Sequence, residues 1–312
     1  MEKTHLSAVI NGSWRAAMRH HVRKHWMIAL CMFVSLAAII VMLIHSLMKI
    51  GDPFFDQALK LAMMGGTVAF VMTAAGTLPA LLIKKIPQPV EDTMLGFAAG
   101  MMLAASAFSL LLPGLQAGIE ITGSRLTSAA VVVFGMALGI FLMLSLERFT
   151  PHLHTTLGTF GPGHERVNRL WLFVFAIALH NLPEGMAIGV SFSRGDMNVG
   201  LPLTTAIVLQ DIPEGLAVAL ALRGAGMSRL RAVLLAAVTG LPELFGALLG
   251  VGLTSGLAIS YPIGLGLAGG AMIFIVSHEV IPETHRNGHQ TPATIGLLVG
   301  FALMMVLDTM LG

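Results

Sequence analysis

Two six-residue segments hold the residues most able to do chemistry in this chain: His180-Asn181-Leu182-Pro183-Glu184-Gly185 and Gln210-Asp211-Ile212-Pro213-Glu214-Gly215. They are one frame written twice, 30 positions apart, and Leu241-Pro242-Glu243 is a fainter third copy. On a helix the first residue of each full frame and its glutamate are spaced i and i+4 and share a face; the second residue, at i+3 from the glutamate, lies on a neighbouring strip. Imidazole, carboxylate and amide oxygen form a donor set that suits Zn²⁺, Cd²⁺, Fe²⁺ or Mn²⁺. His180, Glu184, Gln210 and Glu214 can make one ligand set; Asn181, Asp211, Glu214 and Glu243 can make a second, with Glu214 bridging. Four carboxylates balance two divalent cations, and one cation with a protonated carboxyl also satisfies them. A hydrogen-bonded polar core or a proton relay would use the same residue types. The repetition of the whole frame favours metal.

The elements that carry these frames are apolar. Of 312 residues, 55% are hydrophobic and 11% charged, with 35 glycines, 21 methionines and a mean hydropathy of +0.83. Soluble domains carry about 25% charged residues, and disordered chains are less hydrophobic still. Long apolar blocks without alternation also argue against a β-barrel. The expected fold is an all-α polytopic membrane protein. Nine stretches approach the roughly 20 apolar residues needed to span a bilayer: 26–47, 61–83, 93–115, 126–147, 170–192, 199–222, 232–256, 261–282 and 291–312. Pro183 and Pro213 each remove a backbone donor, so kinks that free the Leu179 and Leu209 carbonyls are expected beside a polar cavity. Gly96, Gly100, Gly264, Gly266, Gly269 and Gly270 should let helices approach closely. Glycine after each frame glutamate should leave room beside the carboxylate.

Loop charge sets the orientation. With residues 1–25 placed in the cytoplasm, the inner side holds Lys3, Arg15, Arg19, Arg23, Lys24, Lys84, Lys85, Arg148, Arg166, Arg169, Arg223, Arg229, Arg231 and Arg286. Only Lys49, Lys60, Arg125 and Arg194 fall outside, so 14 of the 18 basic residues obey the positive-inside rule. The C-terminus should face outward. The long basic stretch before residue 26 lacks a cleavage site and does not read as a signal peptide. Cys31 is alone and has no thiolate partner. A net charge of +2 gives no reason to expect nucleic acid as a partner.

The paired frames around His180 and Gln210 resemble the metal-binding helices of the ZIP (Zrt/Irt-like protein) transporters. Pro-Glu-Gly in both copies is similar to the bacterial GufA-type branch, and Ser277-His278-Glu279-Val280-Ile281-Pro282-Glu283 resembles the family's next-to-last helix. The resemblance covers roughly residues 59–312. It implies an eight-helix core with inverted repeats, to which span 26–47 is an addition, and a binuclear metal centre carried onto His180, Asn181, Glu184, Gln210, Asp211, Glu214 and Glu243. It also implies uptake of divalent transition metal into the cytoplasm across a bacterial inner membrane. The expected organisation is a cytoplasmic tail at 1–25, an extra helix and outer loop at 26–58, and a transport domain at 59–312 with an inner loop near 148–169. Many family members have histidine where Gln210 stands, and a neutral amide binds metal more weakly.

The same topology orders the other polar residues. Asp308, with Ser109 or Met102, is a candidate metal entrance; His278, Glu279, His285, His289, His152 and His154 are candidates for metal exit or sensing. The expected partners are divalent metal ions and lipid, with a homodimer left open and no resident cofactor. Export and proton coupling are alternatives to uptake. An intramembrane metalloenzyme is disfavoured, because His278-Glu279 is followed by histidine only at His285, too late for His-Glu-x-x-His.

Overall fold

The computed structural model describes residues 22–49, 51–83, 85–149, 152–154, 158–160, 169–285 and 288–312. Lys3, Arg15, Arg19, Lys84, Arg166 and Arg286, all invoked for topology, lie outside the described residues, as does most of the 1–25 tail. The chain runs α1 (Trp26–Leu47), α2 (Pro53–Thr77), a 3₁₀ turn (Leu78–Leu81), α3 (Gln88–Ala105), a π segment (Ser106–Leu111), α4 (Leu112–Thr122) and α5 (Arg125–Phe149). Strands β1 (His152–His154) and β2 (Gly158–Phe160) pair antiparallel, with Leu153 opposite Thr159. Then come α6 (Arg169–Phe192), α7 (Met197–Gly224), α8 (Arg229–Val238), α9 (Leu241–Thr254), α10 (Ser260–Ile275), a second π segment (Val276–Val280), α11 (Ile281–His285) and α12 (Gln290–Leu311).

Among the described residues, eight helical segments are long and apolar enough to cross a membrane. They correspond to eight of the nine expected spans. The ninth, α6, is a 24-residue helix that bears the first frame, but it is not among those eight. The fold is therefore an all-α polytopic membrane architecture, with eight spans established by length and composition. Helix boundaries follow local chemistry. Asp52 and Asp196 cap α2 and α7 by accepting, each at 2.9 Å, from the backbone N–H two residues on. Gly123, at φ +68°, ends α4 in the left-handed conformation.

Glycines bring the helices together in pairs. An added Cβ on Gly96 or Gly100 would come within 2.2 Å of a backbone oxygen of α12, at Ala293 and Leu297, and Gly296 and Gly300 return the contact against Thr93 and Phe97 of α3. The same reciprocity joins α5 to α10 through Gly135, Gly139, Gly266 and Gly270, and α6 to α9 through Gly185, Gly189, Gly246 and Gly250. Gly264 and Gly269, expected to play this part too, instead meet the side chains of Thr254 and Leu111. Helix α2 meets α7 where Gly76 faces Ile212 and Gly215 faces Thr73. In lipid, where water drives no helix association, close backbone packing of this kind supplies much of the attraction. Helix α1 is held lightly: Ser35 donates to the Leu138 carbonyl at 3.3 Å, and Met42 packs with Leu138, Met186 and Leu253.

The frame prolines do not end their helices. Helices α6 and α7 continue through Pro183 and Pro213. Each proline deletes one donor, and a 24-residue helix with Pro183 or a 28-residue helix with Pro202 and Pro213 retains most of its ladder. The chain breaks instead at Thr239–Gly240, just ahead of the third frame, which splits the expected 232–256 span into α8 and α9. Two further irregularities were not expected: the π segments at Ser106–Leu111 and Val276–Val280. Such bulges inside α-helices often mark functional positions.

Candidate metal centre

Helices α6, α7 and α9 bring their frames to one buried point. Glu184, Asp211 and Glu243 each offer a carboxylate oxygen, and the three oxygens lie within 4.8 Å of one another. All three residues are buried, at 2%, 2% and 0% exposure. The sequence put Glu184 in a different ligand set from Asp211 and Glu243; the fold joins all three. Glu214 is half-buried on the same helix as Asp211, and it is not one of the three residues whose oxygens lie within 4.8 Å of one another.

The amides around this cluster turn their oxygens loose. Gln210 donates through Nε2 to Glu184 Oε1 at 2.7 Å, and its own Oε1 has no donor. Asn181 donates through Nδ2 to the Thr239 carbonyl at 2.7 Å, and its Oδ1 has no donor. The helix break explains that second bond. Glu243 N–H donates to the Gly240 carbonyl at 3.1 Å, which leaves the Thr239 carbonyl for the Asn181 amide. Thr73 of α2 donates to Glu243 Oε1 at 2.8 Å. Glu184 Oε2, Asp211 Oδ2 and Glu243 Oε2 also lack donors. Five buried acceptors from five residues of the frames therefore lack a protein N–H or O–H partner, and three of those residues offer carboxylate oxygens within 4.8 Å of one another. Buried polar atoms are normally paired, and a set made only of oxygen acceptors calls for a cation.

The frame glycines lie against neighbouring backbones. A Cβ on Gly185 would stand 2.1 Å from the Glu243 carbonyl oxygen, and one on Gly215 would stand 2.3 Å from that of Thr73. The space they leave admits the backbones of α9 and α2, and so sets how closely the three carboxylates converge.

His180 sits at one side of the cluster. Its Nε2 lies 2.5 Å from Glu279 Oε2, tying α6 to the second π segment. A carboxylate on one ring nitrogen fixes the tautomer and orientation of an imidazole. His278 is half-exposed, stacks on Phe274 with centroids 5.0 Å apart, and contacts Glu147 Oε1 at 3.2 Å. His285 is turned back on its own helix, with Nδ1 donating to the Ile281 carbonyl at 2.9 Å. His289 pairs with Asp92 Oδ2 at 2.9 Å, and Gln88 also donates to Asp92. The fold thus joins His180 with Glu279, but holds His285 and His289 in separate local contacts. The side chains of His152 and His154 lie outside the described residues. Beside the N-terminal tail, partial burial, then Arg148 and Lys24, push the His25 imidazole below its ordinary value, a poor setting for a cation.

At the other candidate position Ser109 donates to Asp308 Oδ1 at 2.7 Å, pairing the first π segment with the end of α12. Met102 is buried, and its carbonyl accepts from Ser106 at 2.7 Å. Sequence reasoning missed Thr73, Asp92 and Glu147. Asp92 stands near the start of α3, where acids are ordinary, Glu147 stands beside the basic Arg148 at the end of α5, and Thr73 is an unremarkable residue in an apolar run; only the fold shows what each touches.

Fold and site together define a multi-pass helical membrane protein with a buried, acceptor-only centre suited to a cation. A family model described as ZIP Zinc transporter matches residues 159–308. The chain is 55% identical over 307 residues to the zinc transporter ZIPB of Bordetella bronchiseptica, covering 98% of each protein. It is 40% identical over 251 residues to the zinc transporter GufA of Myxococcus xanthus, covering 80% of this chain and 98% of that one. With the zinc transporter ZIP11 of Homo sapiens it shares 29% identity over 332 residues, covering 80% of this chain. The chain belongs to the ZIP family.

Proposed function

We propose that this protein carries divalent transition-metal ions, Zn²⁺ foremost and also Cd²⁺, Fe²⁺ or Mn²⁺, across the bacterial inner membrane into the cytoplasm. The observation that carries this reading is the set of five donorless oxygens on Asn181, Glu184, Gln210, Asp211 and Glu243. The similarity to proteins named as zinc transporters supports it independently. In this reading an ion exchanges its water for these oxygens, with Glu214 and His180 completing a binuclear centre. Asp308 and Ser109 receive it from outside, and Glu279 with His278 passes it inward. The metal is cargo; the protein has no catalytic step and no resident cofactor. The N-terminus is cytoplasmic and the C-terminus external, as the loop charges require. Residues 59–312 form the transport domain.

Because the ligands must be deprotonated to bind metal, binding competes with protons and needs no thiolate. The test is radiometal flux into proteoliposomes for wild type and Glu214→Ala, with the four metals surveyed in one assay. Wild-type flux that the variant loses is the expected result. Absence of flux for every divalent metal would overturn the proposal.

A further inference from the structure

Thr73 lies in α2, outside all three frames, yet two of them close around it. Gly215 of the second frame packs against its backbone carbonyl, and Gly240, at the break before the third, would place a Cβ 3.1 Å from its Cβ. The residue is 3% exposed, and its hydroxyl has two acceptors in reach: Glu243 Oε1 at 2.8 Å and its own Ala69 carbonyl at 3.1 Å. A hydroxyl has one proton to donate. The shorter contact goes to the carboxylate, and hydrogen bonds to ionised groups are the stronger ones. Glu243 stands in the first turn of α9, immediately after an irregular stretch of backbone. Its other oxygen, Oε2, has no donor and belongs to the cluster with Glu184 and Asp211. Among the described residues, no other side-chain hydrogen bond holds this carboxylate.

We propose that Thr73 is a positioning residue for the metal centre: its hydroxyl anchors Glu243 Oε1 and thereby aims Oε2 at the cation shared with Glu184 and Asp211. It does not itself touch metal. The hydroxyl is the contribution of α2 to a centre otherwise built from α6, α7 and α9, and the glycines at 215 and 240 are what let α2 come close enough to make it. This rests on the transport reading for the identity of the cation, but concerns affinity rather than direction of movement.

The test compares wild type, Thr73→Val, Thr73→Ser and Thr73→Ala, measuring equilibrium Zn²⁺ and Cd²⁺ binding to the purified full-length protein by chelator competition. Flux in proteoliposomes is followed in parallel. Valine keeps the shape and removes the hydroxyl; serine keeps the hydroxyl and removes the methyl. Loss of a hydrogen bond that orients a ligand weakens metal affinity by roughly 10–100-fold. Valine should therefore weaken binding by about tenfold or more and raise the half-saturating metal concentration for flux more than it lowers maximal flux. Serine should bind within about threefold of wild type, well short of that range. If the valine protein does not fold, alanine replaces it, since it too lacks the hydroxyl and is smaller. Wild-type affinity in valine or alanine would overturn the proposal, as would equal weakening by valine and serine, which would assign the effect to packing against Gly240. Wild-type binding without flux would overturn the transport reading while the comparison of variants still decides the role of Thr73. A wild type that binds neither metal would overturn both.

Discussion

Replacing Glu184 with glutamine should make the metal-free protein more stable and the metal-bound protein less so. The three clustered oxygens of Glu184, Asp211 and Glu243 lie within 4.8 Å of one another. At that separation each ionised pair repels by about 3.5 kcal/mol at an effective dielectric of about 20. Glu184 takes part in two of the three pairs, so neutralising it removes up to about 7 kcal/mol of repulsion. Proton uptake by the cluster offsets part of that, and the realised gain is smaller. The exchange also preserves one contact and adds others: glutamine Oε1 still accepts from Gln210 Nε2, while its new NH₂ can donate to the orphaned oxygens of Asp211 and Glu243. Metal reverses the balance. At a free concentration 100 times Kd, binding stabilises wild type by about 2.7 kcal/mol; a variant weakened about 100-fold receives about 0.4 kcal/mol. Thermal unfolding of detergent-purified protein, in chelator and in Zn²⁺, reads both effects. The Glu184→Gln curve should lie above wild type in chelator, and its upward shift on adding Zn²⁺ should nearly vanish. A variant less stable than wild type in chelator, with an undiminished Zn²⁺ shift, would refute the reasoning.

Other outcomes follow from single contacts. Gly100→Ala should destabilise the protein by about 1–3 kcal/mol through overpacking, because its Cβ would meet the Leu297 carbonyl at 1.9 Å. Gly224→Ala, in open space at the end of α7, should be neutral or stabilising by up to about 1 kcal/mol; thermal unfolding separates the two. Asp308→Ala should raise the metal concentration needed for half-maximal uptake, and Ser109→Ala should do so less, because the serine holds Asp308 through one hydrogen bond; unchanged concentration dependence for both would remove them from the path. Uptake should fall as external pH drops, since protons occupy the oxygens a cation needs; flux stimulated by external acid would argue for proton coupling.

The sequence displays the parts of this molecule that depend on residue type and spacing. The double frame singles out His180, Asn181, Glu184, Gln210, Asp211 and Glu214 as candidates without a fold, because ionisable residues in apolar blocks are conspicuous. Glu243 is legible only through the echo of Pro-Glu. What the sequence hides depends on which backbones touch. The partition of Glu184 from Asp211 and Glu243 into separate ligand sets follows from helix faces alone, and close packing of α6 on α9 through Gly185 and Gly246 cancels it. The break at Thr239–Gly240 is hidden because proline, the stronger breaker by propensity, sits within helices at Pro183 and Pro213. Its Asn181 partner is 58 residues away along the chain. The π segments leave no mark in composition, yet they carry Ser109 and Glu279, two residues that the topology had already nominated.

The central claim is that the donorless oxygens form the place where the transported ion rests. Anomalous diffraction at the zinc edge from crystals of metal-loaded protein tests it directly. The account predicts anomalous density about 2.0–2.2 Å from carboxylate oxygens of Glu184, Asp211 and Glu243, lost in the Asp211→Asn protein. Density confined to His152, His154 or His289, with none at the buried carboxylates, would contradict it.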